Sequence, residues 1–409
     1  MRKNSHFSGQ PLYGQVIKLL DKSKILQFSR ENGGERYVKH FSCWIHLVVM
    51  LYAVIMRFDS LREITASLLA ETRKLAHLGI TFKIGRSTLA DANKRRPEAI
   101  FEAIYRDLYA TYRHVLSSDS RSRKTPKWMK RLQIIDSTTI TLFSNLLFKG
   151  VGRHPKTGKK KGGIKVHTVI HANEGVPSDI KFTSAATNDS FMLKPSTLSK
   201  GDIMAMDRAY IDYEKFEQLT QRGVTYVTKM KRNLKYTVLS DTMYQSPDGL
   251  MEVRIQNVEF TKQKKDGKTI HHKSRIITYV DIKKRKLMSL LTNDMESDPE
   301  EIIAIYRQRW EIELLFKQMK QNFPLKYFYG ESANAIKIQI WVTLIANLLL
   351  MVMQKGLKRK WSFSGLATMV RITLMYYVDF HSLFNNPEKE WEIILSEASG
   401  APPEPSLFD

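Results

Sequence analysis

The chain has 409 residues, 43% of them hydrophobic, which allows about two or three domains with a sizeable buried core. Lys and Arg number 65 against 41 Asp and Glu, giving a formal net charge of +24. A surplus this large disfavours self-association and favours a polyanionic partner, with nucleic acid first and an anionic membrane surface second. The single cysteine, Cys43, excludes an intramolecular disulfide and a multi-cysteine zinc site.

Targeting signals are not evident in the sequence. The first residues are polar and basic, unlike the apolar segment of a secretory signal. The two most apolar runs, residues 41–56 and 340–353, are shorter than the roughly 20 residues of a spanning helix. They are interrupted by His46 and Asn347. We therefore expect buried core helices in a cytoplasmic protein without membrane association.

The first 125 residues read as helical. Ser60, with Glu63 three positions later, predicts a capped helix that runs to about Leu78 and stops at Gly79. A second helix, 89–96, ends before Pro97 and carries the candidate DNA contacts Lys94, Arg95 and Arg96. The pair could form a helix-turn-helix that reads DNA sequence, or could contact phosphates only, and the sequence leaves both open.

From residue 131 the pattern changes to strands. Apolar, β-branched runs predict strands over 132–142, 163–171, 177–184, 203–206 and 224–229, with a helix over 188–198. Hairpin-rich strands followed by alternating strands and helices indicate an α/β unit with a mixed sheet. Residues 231–285 lack helical periodicity, contain turn signals, and predict an inserted β-rich subdomain.

A long helix is predicted near residue 300. Asp298 can cap it, Pro299 suits its first position, and Glu301 completes a capping box. At 3.6 residues per turn, one stripe of this helix carries an aromatic residue, a cation, a carboxylate and a second cation: Tyr306, Arg309, Glu313 and Lys320.

Three carboxylates occupy positions where burial is costly. Asp136 lies inside an apolar strand, Asp207 directly follows one, and Glu313 lies on the predicted buried helix. Each alone is more often a cap or an ion-pair partner. Together they could bind Mg²⁺ or Mn²⁺, and two such ions can activate a nucleophile and stabilise the leaving oxygen in phosphodiester cleavage.

The chain resembles bacterial insertion-sequence transposases of the DDE type, in the subgroup with a Tyr-Arg-Glu-Lys signature. Tyr306, Arg309, Glu313 and Lys320 match the signature at every spacing, and Asp136 and Asp207 resemble the first two catalytic residues. The resemblance covers roughly residues 130–355. It implies a ribonuclease H-like mixed-sheet catalytic core interrupted by a β-rich insertion and preceded by an all-helical N-terminal domain.

Domain bounds follow from these patterns. We expect a helical DNA-binding domain over 1–125, a catalytic core over 126–230 and 286–355, and the β-rich insertion over 231–285. Residues 356–409 are expected to form a C-terminal helical region and a disordered tail.

The resemblance also implies an activity. One strand is hydrolysed at the transposon end, and the freed 3′-hydroxyl then attacks the opposite strand or target DNA. The implied cofactor is two Mg²⁺ ions held by Asp136, Asp207 and Glu313, with Mn²⁺ able to substitute. The implied partners are the terminal inverted repeats, target DNA and a second copy of the chain in a synaptic dimer.

Further DNA contacts are expected around these carboxylates. Arginine can bind phosphate with two hydrogen bonds and lysine acts as a point charge, so the signature cations suit phosphates. Trp310 could stack on a displaced base, although core packing is the favoured interpretation. The remaining candidates are the signature tyrosine and basic or aromatic residues near the first two Asp: Tyr306, Arg153, Lys159, Lys160, Lys161, Lys165, His167, Arg208 and Tyr210.

Two alternatives to a cut-and-paste transposase stay open. A metal-dependent nuclease of the same fold would cleave without joining strands. A non-catalytic DNA-binding repressor would bind the terminal repeats without nicking them.

Overall fold

A computed structural model describes residues 10–117, 126–141, 163–389, 391 and 395, apart from residues 186, 232, 248, 250, 264–266, 268 and 282–285. Two compact units divide the chain. The first comprises residues 1–108 and 321–409, and the second comprises residues 109–320.

The first unit is helical. Its early helices are α1 (Leu12–Ile17), α2 (Lys22–Glu31), α3 (Cys43–Met56), α4 (Leu61–Ala70), α5 (Thr72–Ala76), α6 (Arg86–Arg95) and α7 (Ala99–Leu116), the last of which continues into the second unit. Its late helices are α11 (Ala333–Lys355), α12 (Phe363–Thr373) and α13 (Phe380–Asn385).

Helix starts in this unit follow the sequence signals. Ser60 accepts a hydrogen bond from the Glu63 backbone N–H, while the Glu63 carboxylate accepts one from the Asp59 backbone N–H. The predicted helix from Ser60 to Leu78 is wrong in one respect, because it breaks at Glu71 between α4 and α5. Gly79 follows in a left-handed conformation with φ +81°.

Helices α3 and α11 form the centre of the first unit. Nearly every side chain of α3 is buried, as the absence of a polar face in the sequence predicts. Helix α11 is long and apolar enough to cross a membrane, but 89% of its most apolar window is buried inside the protein. Both apolar runs are therefore core helices, as expected.

Polar contacts tie α11 to the N-terminal helices. The Asn334 side chain donates to the backbone carbonyl of Arg96 at 2.6 Å and accepts from the Glu98 backbone N–H at 3.1 Å. The Glu98 carboxylate accepts from the Trp341 indole at 2.8 Å and pairs with Lys337 at 2.9 Å. Helix α11 thus packs in the first unit, and the predicted bound of the catalytic core at residue 355 stays a prediction.

Within the described residues, nine strands of the second unit form one mixed sheet in the order β3-β2-β1-β4-β5-β9-β8-β7-β6. They are β1 (Leu132–Thr141), β2 (Gly163–His171), β3 (Pro177–Ser184), β4 (Ile203–Met206), β5 (Thr225–Lys229), β6 (Thr237–Gln245), β7 (Glu252–Gln263), β8 (Thr269–Asp281) and β9 (Lys286–Thr292). Strands β1, β4 and β5 run parallel to one another. The predicted mixed α/β architecture is confirmed.

The β-rich insertion extends this sheet. Strand β9 pairs with β5 on one side and with β8 on the other, so β8, β7 and β6 continue the same hydrogen-bonded ladder. Buried residues of the insertion, including Val258 and Phe260, join the core that contains Ile135 and Met206.

Three helices accompany the sheet: α8 (Tyr213–Gln221), α9 (Pro299–Arg307) and α10 (Trp310–Asn322). The region predicted as a helix over 188–198 contains only two short 3₁₀ turns, Asp189–Met192 and Pro195–Thr197. Asn188 caps the first of them by accepting from the Ser190 backbone N–H.

The predicted long helix near residue 300 is two helices. Pro299 stands at the first turn of α9, but the Asp298 side chain makes no capping hydrogen bond with the described residues. At the junction, the Arg309 N–H donates to the Tyr306 carbonyl and the Glu311 N–H to the Gln308 carbonyl, three residues back in each case. Such a 3₁₀ step is a tighter turn than an α-helix and separates α9 from α10.

Candidate active site

The two aspartates lie side by side on neighbouring parallel strands. The register of β1 and β4 pairs Ile135 with Met206, so the next residues are Asp136 and Asp207. Adjacent strands are roughly 4.8 Å apart, which places both carboxylates at one point of the sheet. The Asp207 side chain also caps the 3₁₀ turn Arg208–Tyr210 by accepting from the Ala209 N–H at 3.0 Å.

Asp136 is a partly desolvated carboxyl. Burial raises its pKa to about 6, and the nearby charges of Asp207 and Glu313 act in the same direction. The Ser137 backbone N–H, which donates to Asp136 Oδ1 at 2.8 Å, and the Arg309 guanidinium oppose this shift. The environment therefore favours a cation next to the ionised carboxylate.

Arg309 supplies that cation. Its Nη1 lies 3.2 Å from Asp136 Oδ2, and its Nη2 lies 2.6 Å from Glu313 Oε1. Only 8% of the Arg309 side chain is exposed, against 36% for Glu313. One guanidinium thus bridges the carboxylates of Asp136 and Glu313, which are 177 residues apart in the sequence (313 − 136). The turn between α9 and α10 places it there.

The other members of the stripe differ in exposure. Tyr306 is buried, and the Arg309 guanidinium lies 5.8 Å from its ring centroid. Lys320 donates to the Thr138 hydroxyl at 2.7 Å, two residues beyond Asp136 on the same face of β1. Trp310 is 43% exposed, so the core-packing interpretation is wrong. Its ring lies 5.4 Å from the Arg309 guanidinium.

The carboxylates of Asp136, Asp207 and Glu313 are of the chemical type that binds a hard divalent cation, since carboxylate oxygens are the protein ligands that Mg²⁺ and Mn²⁺ prefer. Among the described residues, however, no three His, Cys, Asp or Glu side chains converge closely enough to hold a metal ion. The Arg309 guanidinium engages both Asp136 and Glu313. A metal ion shared by those carboxylates would compete with the guanidinium for Asp136 Oδ2 and Glu313 Oε1.

The other face of β1 holds a second polar cluster. Asp189 Oδ1 accepts from the Ser137 hydroxyl at 2.7 Å and lies 3.2 Å from Lys165 Nζ. His167 Nδ1 is 3.4 Å from the same oxygen, and its Nε2 lies 2.7 Å from the Thr183 hydroxyl. Burial lowers the pKa of His167 to about 4, so the ring is neutral at pH 7.

This cluster contains two of the predicted DNA contacts, Lys165 and His167. Strand register places His167 opposite Ser137 and Lys165 opposite Thr139, which is the face away from Asp136. His167 is fully buried and Lys165 is engaged by Asp189, and their expected role as DNA contacts stays a prediction. The sequence did not single out Asp189, since an acidic residue in the first turn of a predicted helix is common.

Arg208 and Tyr210, which follow Asp207, differ in their exposure to solvent. Arg208 is exposed, and its expected role as a DNA contact stays a prediction. Tyr210 is buried, and its expected role as a DNA contact stays a prediction. Its hydroxyl has no hydrogen-bond partner of normal geometry in the described parts of the chain. Burial, followed by the charges of Asp189 and Asp136, raises its pKa well above the usual range.

The glycine-containing basic loop lies outside the described residues. Arg153, Lys159, Lys160 and Lys161 belong to it, and their expected role as DNA contacts stays a prediction.

The basic residues near α6 line a cleft in the first unit. This α6 cleft, of about 590 Å³, lies between residues 33–41, Phe82, Lys83 and α6. Its exposed cations are Arg36, Lys39, Lys83 and Arg95, and its acid, Asp91, pairs with Arg95. Tyr37, also in the lining, is fully exposed with a left-handed φ of 58°.

Arg96 and Lys94 depart from the expectation of a recognition helix. Arg96 is buried and donates to the carbonyls of Gly34 and Phe41, so it supports the loop that walls the cleft. Lys94 is exposed but does not line the cleft. The connection between α5 and α6 is much longer than the turn of about 3–4 residues in a helix-turn-helix, so that prediction is not supported.

Comparisons with known proteins assign the class. The family model described as "Transposase DDE domain" matches residues 127–349, which include Asp136, Asp207 and Glu313. A domain of unknown function matches residues 8–81. The chain therefore belongs to the transposase DDE-domain family, whose members generally use divalent metal ions.

Curated relatives narrow the class to insertion sequences. A Sinorhizobium fredii protein named as transposase y4zB is 28% identical over 66% of this chain and 71% of its own length. The protein named as the transposase of element IS5377 of Geobacillus stearothermophilus is 24% identical, over 67% and 70%. A Synechocystis protein of element IS4SA is 26% identical, over 64% and 70%. The protein is a DNA transposase of the insertion-sequence type.

One solved structure, the synaptic complex of piggyBac transposase with hairpin DNA, aligns with 96% of this chain and 86% of its own. The TM-score is 0.43 and the sequence identity is 12%.

Proposed function

We propose that this transposase binds the terminal inverted repeats of its insertion sequence, cleaves the ends and joins the 3′-hydroxyls to target DNA. The observation that carries the proposal is the meeting of Asp136 and Asp207 on neighbouring parallel strands, with Glu313 joined to Asp136 through Arg309. The first Asp on the first strand and the second after the fourth is the arrangement that a ribonuclease H-like core implies. We assign the chain to the Tyr-Arg-Glu-Lys subgroup because Tyr306, Arg309, Glu313 and Lys320 match its signature at every spacing.

Asp136, Asp207 and Glu313 are the proposed ligands of two Mg²⁺ ions, with Mn²⁺ as a substitute. Bound there, the ions would supply a reactive water or 3′-hydroxyl and stabilise the leaving oxygen. The chain's own contribution is to hold three carboxylates on rigid elements with Asp136 half-desolvated. That environment makes a cation favourable beside it.

Arg309 is proposed to exchange partners when DNA binds. A guanidinium can form two hydrogen bonds with a phosphate as readily as with a carboxylate. A phosphate at the site would release Asp136 and Glu313 for metal binding. Lys320, bound to Thr138 on the Asp136 face of β1, adds a point charge, and Trp310, which is 43% exposed, is proposed to stack on an unpaired base.

Purified full-length protein tests the reaction directly. With Mg²⁺ and a duplex that carries the element's own end, we expect nicking at the end, and pre-cleaved ends should be joined to target DNA. Cleavage without joining would favour the nuclease alternative. Specific binding without any nicking in Mg²⁺ or Mn²⁺ would favour a repressor and overturn the proposed activity.

The α6 cleft is proposed as a phosphate-contacting part of the DNA-end binding surface. Four exposed cations line it and its one acid is already paired, which leaves a net positive field. The fully exposed Tyr37 adds an aromatic surface at the same place. Synapsis of two ends by a dimer of this chain is part of the proposal, and mass measurement of the protein–DNA complex tests it.

Charge removal in the α6 cleft should weaken DNA binding and its salt dependence. For Lys83→Ala combined with Arg36→Ala, we expect an affinity loss of roughly 10-fold or more and a log–log salt slope reduced by about 2, about 1 per lost phosphate contact. Fluorescence anisotropy with a labelled end duplex at several salt concentrations measures both quantities.

Arg62→Ala is the matched control, because Arg62 is an exposed cation on α4 that does not line the cleft. It should leave the salt slope close to that of the unaltered protein. If the double variant keeps the original slope, the α6 cleft does not contact phosphates.

A further inference from the structure

Asp189 holds the cluster on the reverse face of β1 together. One oxygen, Oδ1, accepts from the Ser137 hydroxyl at 2.7 Å and lies 3.2 Å from the Lys165 ammonium. The Lys165 ammonium also donates to the Thr187 carbonyl at 2.8 Å. The Asp189 charge is balanced by Lys165, since His167 is held neutral by burial.

Ser137 connects this cluster to the catalytic side of the strand. Its hydroxyl binds Asp189 on one face, while its backbone N–H donates at 2.8 Å to Asp136 Oδ1. A carboxylate that accepts from the next residue's backbone N–H has a restricted side-chain rotation, so the orientation of that N–H decides where the carboxylate points. Anchoring the Ser137 side chain therefore restrains Asp136.

Rigid packing keeps Asp189 itself in place. It starts a 3₁₀ turn capped by Asn188, and the turn's Phe191 ring lies edge-on to His167 with centroids 4.8 Å apart. The Met192 side chain is buried in the same core as Ile135 of β1. These contacts couple the turn to β1 and β2.

We propose that Asp189 is a positioning residue for the catalytic carboxylate Asp136, acting through Ser137 from the opposite face of β1. The role rests on the proposed function, because Asp136 must be oriented for a metal ion. Ligand-orienting partners of this kind typically change metal affinity or activity by about 10–100-fold when removed.

Isothermal titration of Mn²⁺ into the full-length protein tests the role. Asp189→Ala should weaken Mn²⁺ affinity by about 10–100-fold, and Ser137→Ala should have a similar effect because it breaks the same connection. The double variant should be no weaker than the weaker single variant, because both changes break one pathway. Asp189→Asn retains an oxygen acceptor for Ser137 and should keep more affinity than Asp189→Ala. It is also the variant to use if the alanine form does not fold.

Nicking kinetics separate positioning from general destabilisation. For Asp189→Ala we expect a lower kcat with an unchanged KM for the end duplex. Asp241→Ala is the matched control, since Asp241 bridges β6 and β7 through Arg254 in the same sheet. It should lower stability without changing Mn²⁺ affinity.

Two results would overturn the inference in different ways. Unchanged Mn²⁺ affinity in Asp189→Ala, with affinity lost in Asp136→Asn, would refute the positioning role alone. Equal Mn²⁺ binding by the unaltered protein and Asp136→Asn would overturn the proposed metal site and the positioning role with it.

Discussion

Replacing Asp136 with Asn is expected to reduce DNA strand cleavage by at least about 1,000-fold while DNA-end affinity stays within about twofold. The carboxylate is a proposed metal ligand whose amide replacement has the same shape but no charge, so the loss falls on the chemical step. Asp207→Asn and Glu313→Gln should behave alike. Denaturing-gel assays of nicking and anisotropy of the same labelled duplex measure the two quantities.

The stability of Asp136→Asn distinguishes loss of chemistry from loss of fold. Burial raises the pKa of Asp136, which means that its ionised form is disfavoured in the folded protein. Removing that charge should leave the melting temperature unchanged or slightly higher at pH 8. Asp212→Asn, the same chemical change at the cap of α8, should leave cleavage intact. Substantial cleavage by Asp136→Asn would refute the assignment of the site.

Arg309→Ala is expected to have the largest effect on stability among the site variants, together with loss of cleavage. Removing one partner of a buried ion pair leaves uncompensated charge and costs about 3–5 kcal/mol. The lower end applies here, because Glu313 is partly exposed and solvent screens it. Chemical denaturation at fixed pH measures the change in the free energy of unfolding.

The pH dependence of Arg309→Ala has a definite sign. The folded-state pKa of Asp136 is about 6, above its ordinary value of 3.8, so ionisation costs stability progressively as pH rises between those values. Arg309 lowers this pKa, so its removal raises the pKa further and extends that window upward. The deficit of the variant should therefore be greater at pH 8 than at pH 5, where Asp136 is mostly protonated.

Two further variants isolate the role of the guanidinium. Arg309→Lys keeps the charge but cannot bridge both carboxylates, so it should recover part of the stability and little of the cleavage. Adding Asp136→Asn to Arg309→Ala removes the unpaired buried charge and should recover stability at pH 8. An unfolding free energy of Arg309→Ala that equals the original at pH 8 would contradict the bridging role.

The helix signals near residue 300 show the limit of periodicity. The spacing from Tyr306 to Lys320 predicted one stripe on one helix, and Pro299 correctly marked the start. The 3₁₀ step at Gln308–Arg309 has no glycine or proline to announce it. Arg309, at this step, contacts Asp136. Because the two residues are far apart in the sequence, no local sequence pattern could predict the contact.

The sequence also could not predict which side chains contact one another across the sheet. The alternation of β2 showed that Lys165 and His167 share a face, but only the register with β1 shows which face. The contacts of Asp189 with Ser137 and Lys165 are likewise visible only in the tertiary structure. Likewise, the apolar run of α11 predicted a buried helix without stating which core buries it.

The sequence by itself determined the succession of strands along the chain, the positions of Asp136 inside one strand and Asp207 directly after another, the signature residues and the transposase family. These depend on local periodicity and on residue types that are costly to bury. Only the tertiary structure decided that Arg309 bridges Asp136 and Glu313, that the insertion extends one sheet, and that α11 belongs to the helical unit. Each of these depends on pairing between residues distant in the chain, where the free energy comes from burial and charge contacts that local patterns do not encode.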